Sequence, residues 1–170
     1  MKPKEVKLRE LHLSDISQLA KLANNKNIWI NLRDSFPYPY DESDAKFFIN
    51  LVTKEKPKQH FGIEYEGDLC GVAGLVLQKD VYRKSAEIGY WIGESFWGKG
   101  IATKAIKLIT NYGFGDLKLD RIHAGVFEFN ISSMKALEKN GYKKEGVFKK
   151  AIFKNDKVLD EHRYFKLNEF

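Results

Sequence analysis

The sequence predicts a single α/β domain built on a mixed sheet with helices on its faces. Short apolar runs rich in β-branched and aromatic residues recur along the chain. Between them lie segments whose apolar residues return at helical spacing. The predicted order, roughly β-α-α-β-β-β-α-β-α-β-β, alternates sheet with helix, which is typical of this fold class. At 170 residues the chain has the length of one domain, residues 1–170, and no repeat or linker divides it.

The first half of the chain predicts one strand, two helices and a hairpin. Ser14 and Asp15 are the residue types that cap a helix, and apolar residues follow them on one helical side. A Pro-rich aromatic segment at residues 36–40 interrupts the helices and predicts a rigid loop. The predicted elements are a strand at 6–11, helices from about 16 and at 41–54, and strands at 60–65 and 69–78 around the turn Glu66-Gly67-Asp68.

The second half predicts four strands and two helices. Apolar residues from Ile101 to Tyr112 recur at helical spacing, which predicts a strong amphipathic helix over residues 99–114. Gly141 occupies the position where glycine commonly ends a helix. The other predicted elements are strands at 85–93 and 121–127, a short helix at 132–140, and two final strands at 142–153 and 158–167.

Composition excludes several classes of protein. Hydrophobic residues make up 43% and charged residues 31%, as in ordinary soluble proteins. Cys70 is the single cysteine, so no internal disulfide or CxxC metal site is possible, and we expect no metal. No apolar stretch follows Met1, and no run reaches the length of a membrane span. We therefore expect a cytoplasmic protein with no membrane partner.

The formal net charge of +6 is concentrated in one segment. Residues 135–157 carry eight Lys against three acids, whereas the rest of the chain is nearly neutral. A charge run of this kind is usually a solvated face. It also fits an anionic partner. The segment contains no Arg and the chain has no signature of a nucleic-acid-binding fold, so a basic nucleic-acid-binding module remains only a remote alternative.

The turn Gly98-Lys99-Gly100 is the most informative segment. It joins a predicted strand to a predicted helix, where free backbone N–H groups and the helix dipole attract phosphate. Residues 93–99 satisfy most of a P-loop, but Gly100 stands where that motif needs Ser or Thr to bind Mg²⁺. A dinucleotide-binding GxGxxG fails because position 103 is Thr. The turn predicts phosphate binding without nucleotide hydrolysis.

Two motifs in order resemble the GNAT acyl-CoA-dependent N-acetyltransferases, in particular the branch of ribosomal-protein N-terminal acetyltransferases of RimJ/RimL type. The family loop Q/R-x-x-G-x-G/A aligns with residues 97–102, where Trp97 departs from Gln or Arg. The second motif, N-x-x-S followed by G-F/Y, appears as residues 130–133 with Gly141 and Tyr142 after the helix. The resemblance spans nearly the whole chain.

The resemblance implies a mostly antiparallel sheet of six to seven strands in which two central strands, 85–93 and 121–127, splay apart. Acetyl-CoA would lie in that split as co-substrate. Asn130 serves equally well as a helix N-cap, and the two roles are compatible. The residues implied in binding are Trp91, Ile92, Gly93, Trp97, Gly98, Lys99, Gly100, Ile101, Ala102, Thr103, Asn130 and Ser133.

The implied chemistry is acyl transfer from a thioester to an amine, which needs a base and an oxyanion donor. Glu87 is the first choice of base and Glu128 the second, while a strand histidine such as His123 is more often structural. A backbone N–H near Trp91 is implied as the oxyanion donor. Leu137 occupies the position where many members carry a Tyr acid, and the branch implies that Ser133 instead positions or protonates the sulfur.

The expected function is transfer of an acetyl group to a primary amine by direct attack in a ternary complex. The acceptor is a protein N-terminal amine or a small-molecule amine, with a polyamine acetyltransferase as an alternative. A sensor of the same fold that binds acyl-CoA without turnover is a further alternative, since the usual Tyr is absent. The branch also implies a homodimer.

Overall fold

The computed structural model describes residues 4–169. Across these residues seven strands form one open sheet in the order β1-β2-β3-β4-β5-β7-β6. Every neighbouring pair is antiparallel except β4 and β5. The strands are β1 (Val6–Arg9), β2 (His60–Tyr65), β3 (Asp68–Leu77), β4 (Ser85–Ile92), β5 (Arg121–Phe127), β6 (Lys143–Lys154) and β7 (Lys157–Leu167). The predicted mixed, mostly antiparallel sheet is confirmed.

Helices cover both faces of the sheet. They are α1 (Ile16–Ala23), α2 (Lys26–Trp29), α3 (Glu42–Val52), α4 (Ile101–Gly115) and α5 (Ile131–Lys139). The sequence predicted all but α2, whose four residues are too few for helical periodicity to register. The predicted start of α4 at residue 99 was two residues early, because Gly100 takes a left-handed conformation (φ 71°) that a helix cannot continue.

Two apolar clusters hold the helices against the sheet. Ile101, Ile106 and Ile109 on the inner side of α4 are fully or almost fully buried against β3, β4 and β5. On the other face Leu19 of α1 and Ile49 of α3 pack in a separate cluster. Burying a side chain of this size stabilises the fold by about 1.5–3 kcal/mol. The apolar residues predicted from helical spacing are therefore those that fix each helix on its face.

The central strands β4 and β5 run parallel and separate along their length. Pairing is confined to three residues of β4 from Ser85 to Glu87, which face Arg121 to His123 of β5. Both strands continue beyond this point, to Ile92 and Phe127, without pairing to each other. The split that the resemblance implied is therefore present, and it opens towards the N-terminus of α4.

Strand β3 approaches β4 so closely at Gly71 that a side chain does not fit. A Cβ added there would lie 2.1 Å from Trp91 O and 3.1 Å from Ile92 Cα. We expect Gly71→Ala to lower the free energy of unfolding by about 1–3 kcal/mol, because neighbouring backbone must move. Urea denaturation measures this loss.

Gly89→Ala on β4 is the matched control for Gly71→Ala. A Cβ added at Gly89 meets no atom within 4 Å, so stability should change by less than about 1 kcal/mol. Equal losses of stability in the two variants would contradict the close approach at Gly71.

The single cysteine is part of the core. Cys70 is fully buried, and its thiol donates to Ile63 O at 3.2 Å. Burial raises the pKa of the thiol to about 12, so it stays protonated at neutral pH. The interpretation of Cys70 as a small buried apolar residue is confirmed. In residues 4–169 no helix is both long and apolar enough to cross a bilayer.

Candidate active site

A cavity of about 770 Å³ follows the split between β4 and β5. It reaches from the start of α4 on one face of the sheet to the loop before α3 on the other. Its lining includes Gly98 and Gly100 at one end, Tyr90 and Ser133 in the middle, and Glu87 on the opposite face. The lining residues therefore lie on both faces of the sheet, with the split between them.

The glycine turn before α4 forms the first end of the cavity. Gly98 (φ 74°) and Gly100 (φ 71°) are both left-handed, and a Cβ added at either meets no protein atom within 4 Å. Glycine is needed there for the backbone conformation, and the space outside remains open. Gly100 is the N-cap of α4 and provides no side-chain cap. The first N–H groups of the helix therefore remain available to an anion.

Trp97, which stands where the family loop has Gln or Arg, makes a hydrogen bond to the backbone of β4. Its indole Nε1–H donates to Ile92 O at 2.7 Å, so the side chain ties the start of the turn to the end of β4. Lys99 is the middle residue of the glycine turn, and its Nζ lies 5.2 Å from the ring centre of Phe96.

The free edge of β4 presents backbone donors to the split. Gly93 N donates to Cys70 O at 2.8 Å, which closes an unbroken antiparallel register with β3. Hydrogen-bonded residues alternate in such a pair, so the N–H groups of Tyr90 and Ile92 point away from β3. The N–H groups near Trp91 that point into the split are therefore those of its even-numbered neighbours, since alternation turns the N–H of Trp91 towards β3.

Two hydroxyl groups meet halfway along the cavity. Tyr90 Oη and Ser133 Oγ are 2.5 Å apart, joining β4 to the first turn of α5. Burial raises the pKa of Tyr90 to about 12, with the hydrogen bond to Ser133 acting in the opposite direction. The phenol is therefore a protonated hydroxyl throughout the neutral range. Leu137, one turn further along α5, is fully buried and also lines the cavity.

Asn130 holds the start of α5. Its side-chain Oδ1 accepts from Ser133 N at 3.4 Å, which is the N-cap role expected from the sequence. Asn130 also lines the cavity. The cap orients the helix turn that carries Ser133, so the structural role serves the position of that hydroxyl.

Three acids line the cavity, and each is paired with a basic side chain. Glu87 Oε1 on β4 accepts from Nη2 of Arg33, in the segment between α2 and α3, at 2.5 Å. The other two pairs are Asp34 with Lys154 at 2.9 Å and Glu161 with Arg163 at 2.6 Å. Lys154 is almost fully buried and also lies 3.8 Å from the ring centre of Trp29. The charges of these acids are thus compensated within the protein.

The aromatic loop at residues 36–40 contributes one ring to the cavity. Phe36 lines it and packs against Trp91, with ring centres 5.7 Å apart. Tyr40 is instead buried in the core beside α3 and Phe36. Tyr38 is 44% exposed. One ring of this loop therefore forms a wall, while the others fix the loop or face solvent.

Most of the residues that the sequence assigned to the site line the cavity together. They are Glu87, Trp91, Ile92, Trp97, Gly98, Gly100, Ile101, Ala102, Asn130 and Ser133. Gly93, Lys99 and Thr103 lie next to them in the chain but do not contribute to the lining. Glu128 lies on the exposed turn after β5, where its carboxylate accepts from Asp160 N at 3.3 Å, and it does not line the cavity.

No sequence pattern predicted a part for Tyr90 in proton transfer or a pairing of Arg33 with Glu87. Both contacts join segments 43 or more residues apart. Alternation along β4 is the only signal that could have placed Tyr90 on the α4 face.

His123 lies on β5 opposite Glu87, and together with Ser85 it lines a second, smaller cavity. Burial lowers the pKa of His123.

The family of this chain is established by its match to a family model. Residues 5–143 match the model of the acetyltransferase (GNAT) domain. The chain belongs to the GNAT acetyltransferase family. GNAT members are acyltransferases, so the expected enzyme class is confirmed. Within residues 4–169 no group of three His, Cys, Asp or Glu side chains is arranged to hold a metal ion.

Relatives cover the whole length of this chain. The Bacillus subtilis protein named "Probable N-acetyltransferase YjcK" is 41% identical over 171 residues, covering 96% of this chain and 93% of YjcK. The spermidine N-acetyltransferase of Vibrio cholerae, solved with CoA and spermine, superposes with a TM-score of 0.81 at 26% identity, covering 95% of both chains. The microcin C7 self-immunity acetyltransferase MccE, solved with acetyl-CoA and AMP, superposes with a TM-score of 0.82 at 28% identity, covering 96% and 93%.

Proposed function

We propose that this GNAT protein transfers the acetyl group of acetyl-CoA to a primary amine by direct attack in a ternary complex. The observation that carries the proposal is the open split between β4 and β5. It has an uncapped helix N-terminus at one end and a hydroxyl pair in the middle. The cavity continues to the opposite face, so donor and acceptor reach one point without competing for the same space.

The donor would bind along the free edge of β4. The pyrophosphate fits the turn from Gly98 to Thr103, where N–H groups and the dipole of α4 favour anions. The pantetheine amides fit the N–H and C=O groups that β4 presents to the split beyond Glu87. The solved structures with acetyl-CoA or CoA bound to relatives of the same fold support this use of the cavity.

The thioester would lie beside Tyr90 and Ser133. Backbone N–H groups of Tyr90 and Ile92 are suited to stabilise the oxyanion formed on attack. Tyr90, through Ser133 or directly, is suited to protonate the departing thiolate, because burial keeps its phenol protonated. This pair takes the place of the Tyr that Leu137 replaces, which favours turnover over an acyl-CoA sensor.

We infer that the acceptor presents one amine rather than several. The acids on the acceptor side are each held by a basic side chain, so the cavity offers little net negative charge to a polycation. Phe36 and Trp91 add an apolar wall. A protein N-terminal amine, as in the RimJ/RimL branch, or a small monoamine fits better than a polyamine. Spermidine acetylation remains the alternative, supported by the Vibrio cholerae relative.

Calorimetric titration with acetyl-CoA, followed by an amine panel with thiol-release detection, tests the proposal. We expect saturable binding of acetyl-CoA and faster turnover on peptide N-terminal amines or small monoamines than on spermidine. Absence of acetyl-CoA binding would overturn the proposal. Binding without turnover on any amine would support a sensor, and a preference for spermidine would support the polyamine alternative.

Two further expectations belong to the same proposal. A homodimer is supported by exposed apolar side chains on the β6–β7 ribbon, where Phe148, Phe153 and Val158 are 46%, 68% and 56% exposed. Strand β6 is also an edge of the sheet, which leaves backbone groups free to meet a second copy. Cytoplasmic residence and the absence of a nucleic-acid partner stay predictions from the sequence.

A further inference from the structure

A histidine on the acceptor side of the cavity forms a dyad with a carboxylate. His60, the first residue of β2, lines the cavity together with Glu87 and Gly89. Its Nδ1 lies 2.6 Å from Glu55 Oε1, and its side chain is 26% exposed. His60 lies far from both family motifs in the chain, so no motif predicted a role for it.

The Glu55 carboxylate determines which ring nitrogen is free. Glu55 Oε2 accepts the backbone N–H groups of Gln59 and His60, at 2.9 Å and 3.0 Å, which fixes the carboxylate in place. An ionised carboxylate only accepts, so Nδ1 of a neutral His60 carries the proton. Nε2 then holds the lone pair. In the described part of the chain no protein group bonds to Nε2.

Two glycines direct that lone pair towards the split. His60 faces Gly74 on β3, which in turn faces Gly89 on β4. A Cβ at Gly74 would lie 2.3 Å from His60 Cδ2 and 2.9 Å from Nε2, so this edge of the ring covers the glycine. A Cβ at Gly89 would meet nothing within 4 Å. Because residues directly opposite share one face, open space separates Nε2 from the edge of β4.

We propose that His60 is the general base of acetyl transfer and that Glu55 is its positioning residue. The inference rests on the proposed function. His60 suits the role better than Glu87, since one carboxylate oxygen of Glu87 already bonds to Arg33. The row His60–Gly74–Gly89 ends on the strand that carries the proposed oxyanion donors, whereas Glu87 lies where β4 and β5 are still paired.

The acceptor amine gives up two protons during the transfer, and the departing thiolate takes up one. The bound ammonium loses one proton to Nε2, which passes it to water. The neutral nitrogen attacks the thioester carbonyl carbon, forming the C–N bond and the oxyanion. As the carbonyl re-forms, the C–S bond breaks, the nitrogen gives its second proton to Nε2, and the thiolate takes a proton from the Tyr90–Ser133 pair. The proton left on Nε2 returns through water to the Tyr90–Ser133 pair, which restores both groups. The products are the amide and the free thiol, with one proton of the original ammonium released to water.

His60→Gln tests the assignment because it keeps a group that can donate to Glu55 but removes the basic nitrogen. We expect kcat to fall about 100-fold or more while the Kd for acetyl-CoA, measured by calorimetry, is unchanged. Added imidazole should restore part of the turnover of His60→Ala, which a purely structural role would not allow. Glu55→Gln should lower kcat less, because the basic ring remains but loses its fixed orientation.

His162→Gln is the matched control, since His162 is half-buried in the same sheet but does not line the cavity. It should retain wild-type turnover. Full activity of His60→Gln, or loss of activity in Glu87→Gln alone, would overturn this inference and leave the proposed function intact. Absence of turnover by the wild-type protein on every amine would overturn both.

Discussion

Gly100→Glu is expected to weaken acetyl-CoA binding about 100-fold or more. The side chain would start in the open space outside the turn and bring a carboxylate to the N–H groups that the pyrophosphate needs. Placing like charges together costs several kcal/mol, and each 1.4 kcal/mol is tenfold in affinity. Left-handed backbone adds a conformational cost of about 1–2 kcal/mol for any side chain. Calorimetric titration with acetyl-CoA measures the loss.

Two controls separate charge from backbone strain at Gly100. Gly100→Gln carries the same strain and nearly the same volume without the charge, so it should bind acetyl-CoA more tightly than Gly100→Glu. Gly67→Ala imposes comparable strain in the β2–β3 turn (φ 94°, with no atom within 4 Å of a Cβ), away from the cavity. It should leave affinity unchanged. Unchanged affinity in Gly100→Glu would show that the phosphates bind elsewhere.

Tyr90→Phe is expected to lower kcat about 100-fold with little change in acetyl-CoA affinity. The substitution keeps the ring that fills the cavity wall but removes the hydroxyl bonded to Ser133. General acid catalysis contributes about 10²–10⁴ in rate. Because burial raises the pKa of Tyr90 to about 12, the proton stays on the phenol through the neutral range. Loss of that proton should therefore depress turnover only as pH rises towards 12.

Tyr142→Phe is the matched control for Tyr90→Phe. Tyr142 is also a buried tyrosine whose hydroxyl bonds to another hydroxyl, Thr110 Oγ1 at 2.7 Å, but it does not line the cavity. Its loss should reduce stability without reducing turnover per folded molecule. Ser133→Ala should lower kcat as well, and the double variant with Tyr90→Phe should lose less than the product of the two single losses, because the hydroxyls act as one unit. Independent, multiplicative losses would contradict a shared proton path.

Local patterns were sufficient to predict the framework and most of the residues that line one end of the cavity. Helical spacing located α4. The glycine turn at its start predicted phosphate binding, because free N–H groups and the helix dipole attract an anion there. The structure adds that both glycines are left-handed. Asn130 was predicted both as a cap and as a site residue, and it caps α5 and lines the cavity. These features depend on neighbours within a few residues, so a sequence pattern carries them.

The acceptor half depends on contacts between distant segments. Tyr90 and Ser133 are 43 residues apart, Arg33 and Glu87 54, and Asp34 and Lys154 120. No sequence pattern predicts which acidic side chain pairs with which basic one across such distances. The sequence therefore could not predict whether the cavity has unpaired acids that would bind a polycation.

The lysine-rich segment shows the same contrast between what a local pattern predicts and what the tertiary structure decides. By itself the sequence determined that a lysine-rich segment exists at residues 135–157. Only the tertiary structure decided that Lys154 is buried against Asp34 and that Lys149 bonds to Asp160, whereas Lys135 and Lys139 remain exposed on α5. Composition sets the number of charges, but burial and long-range pairing set which of them a ligand can meet. Long-range strand pairing likewise brings His60 into one row with Gly89, which no local pattern could predict. The glycine turn depends only on neighbouring residues, so the sequence alone identifies it.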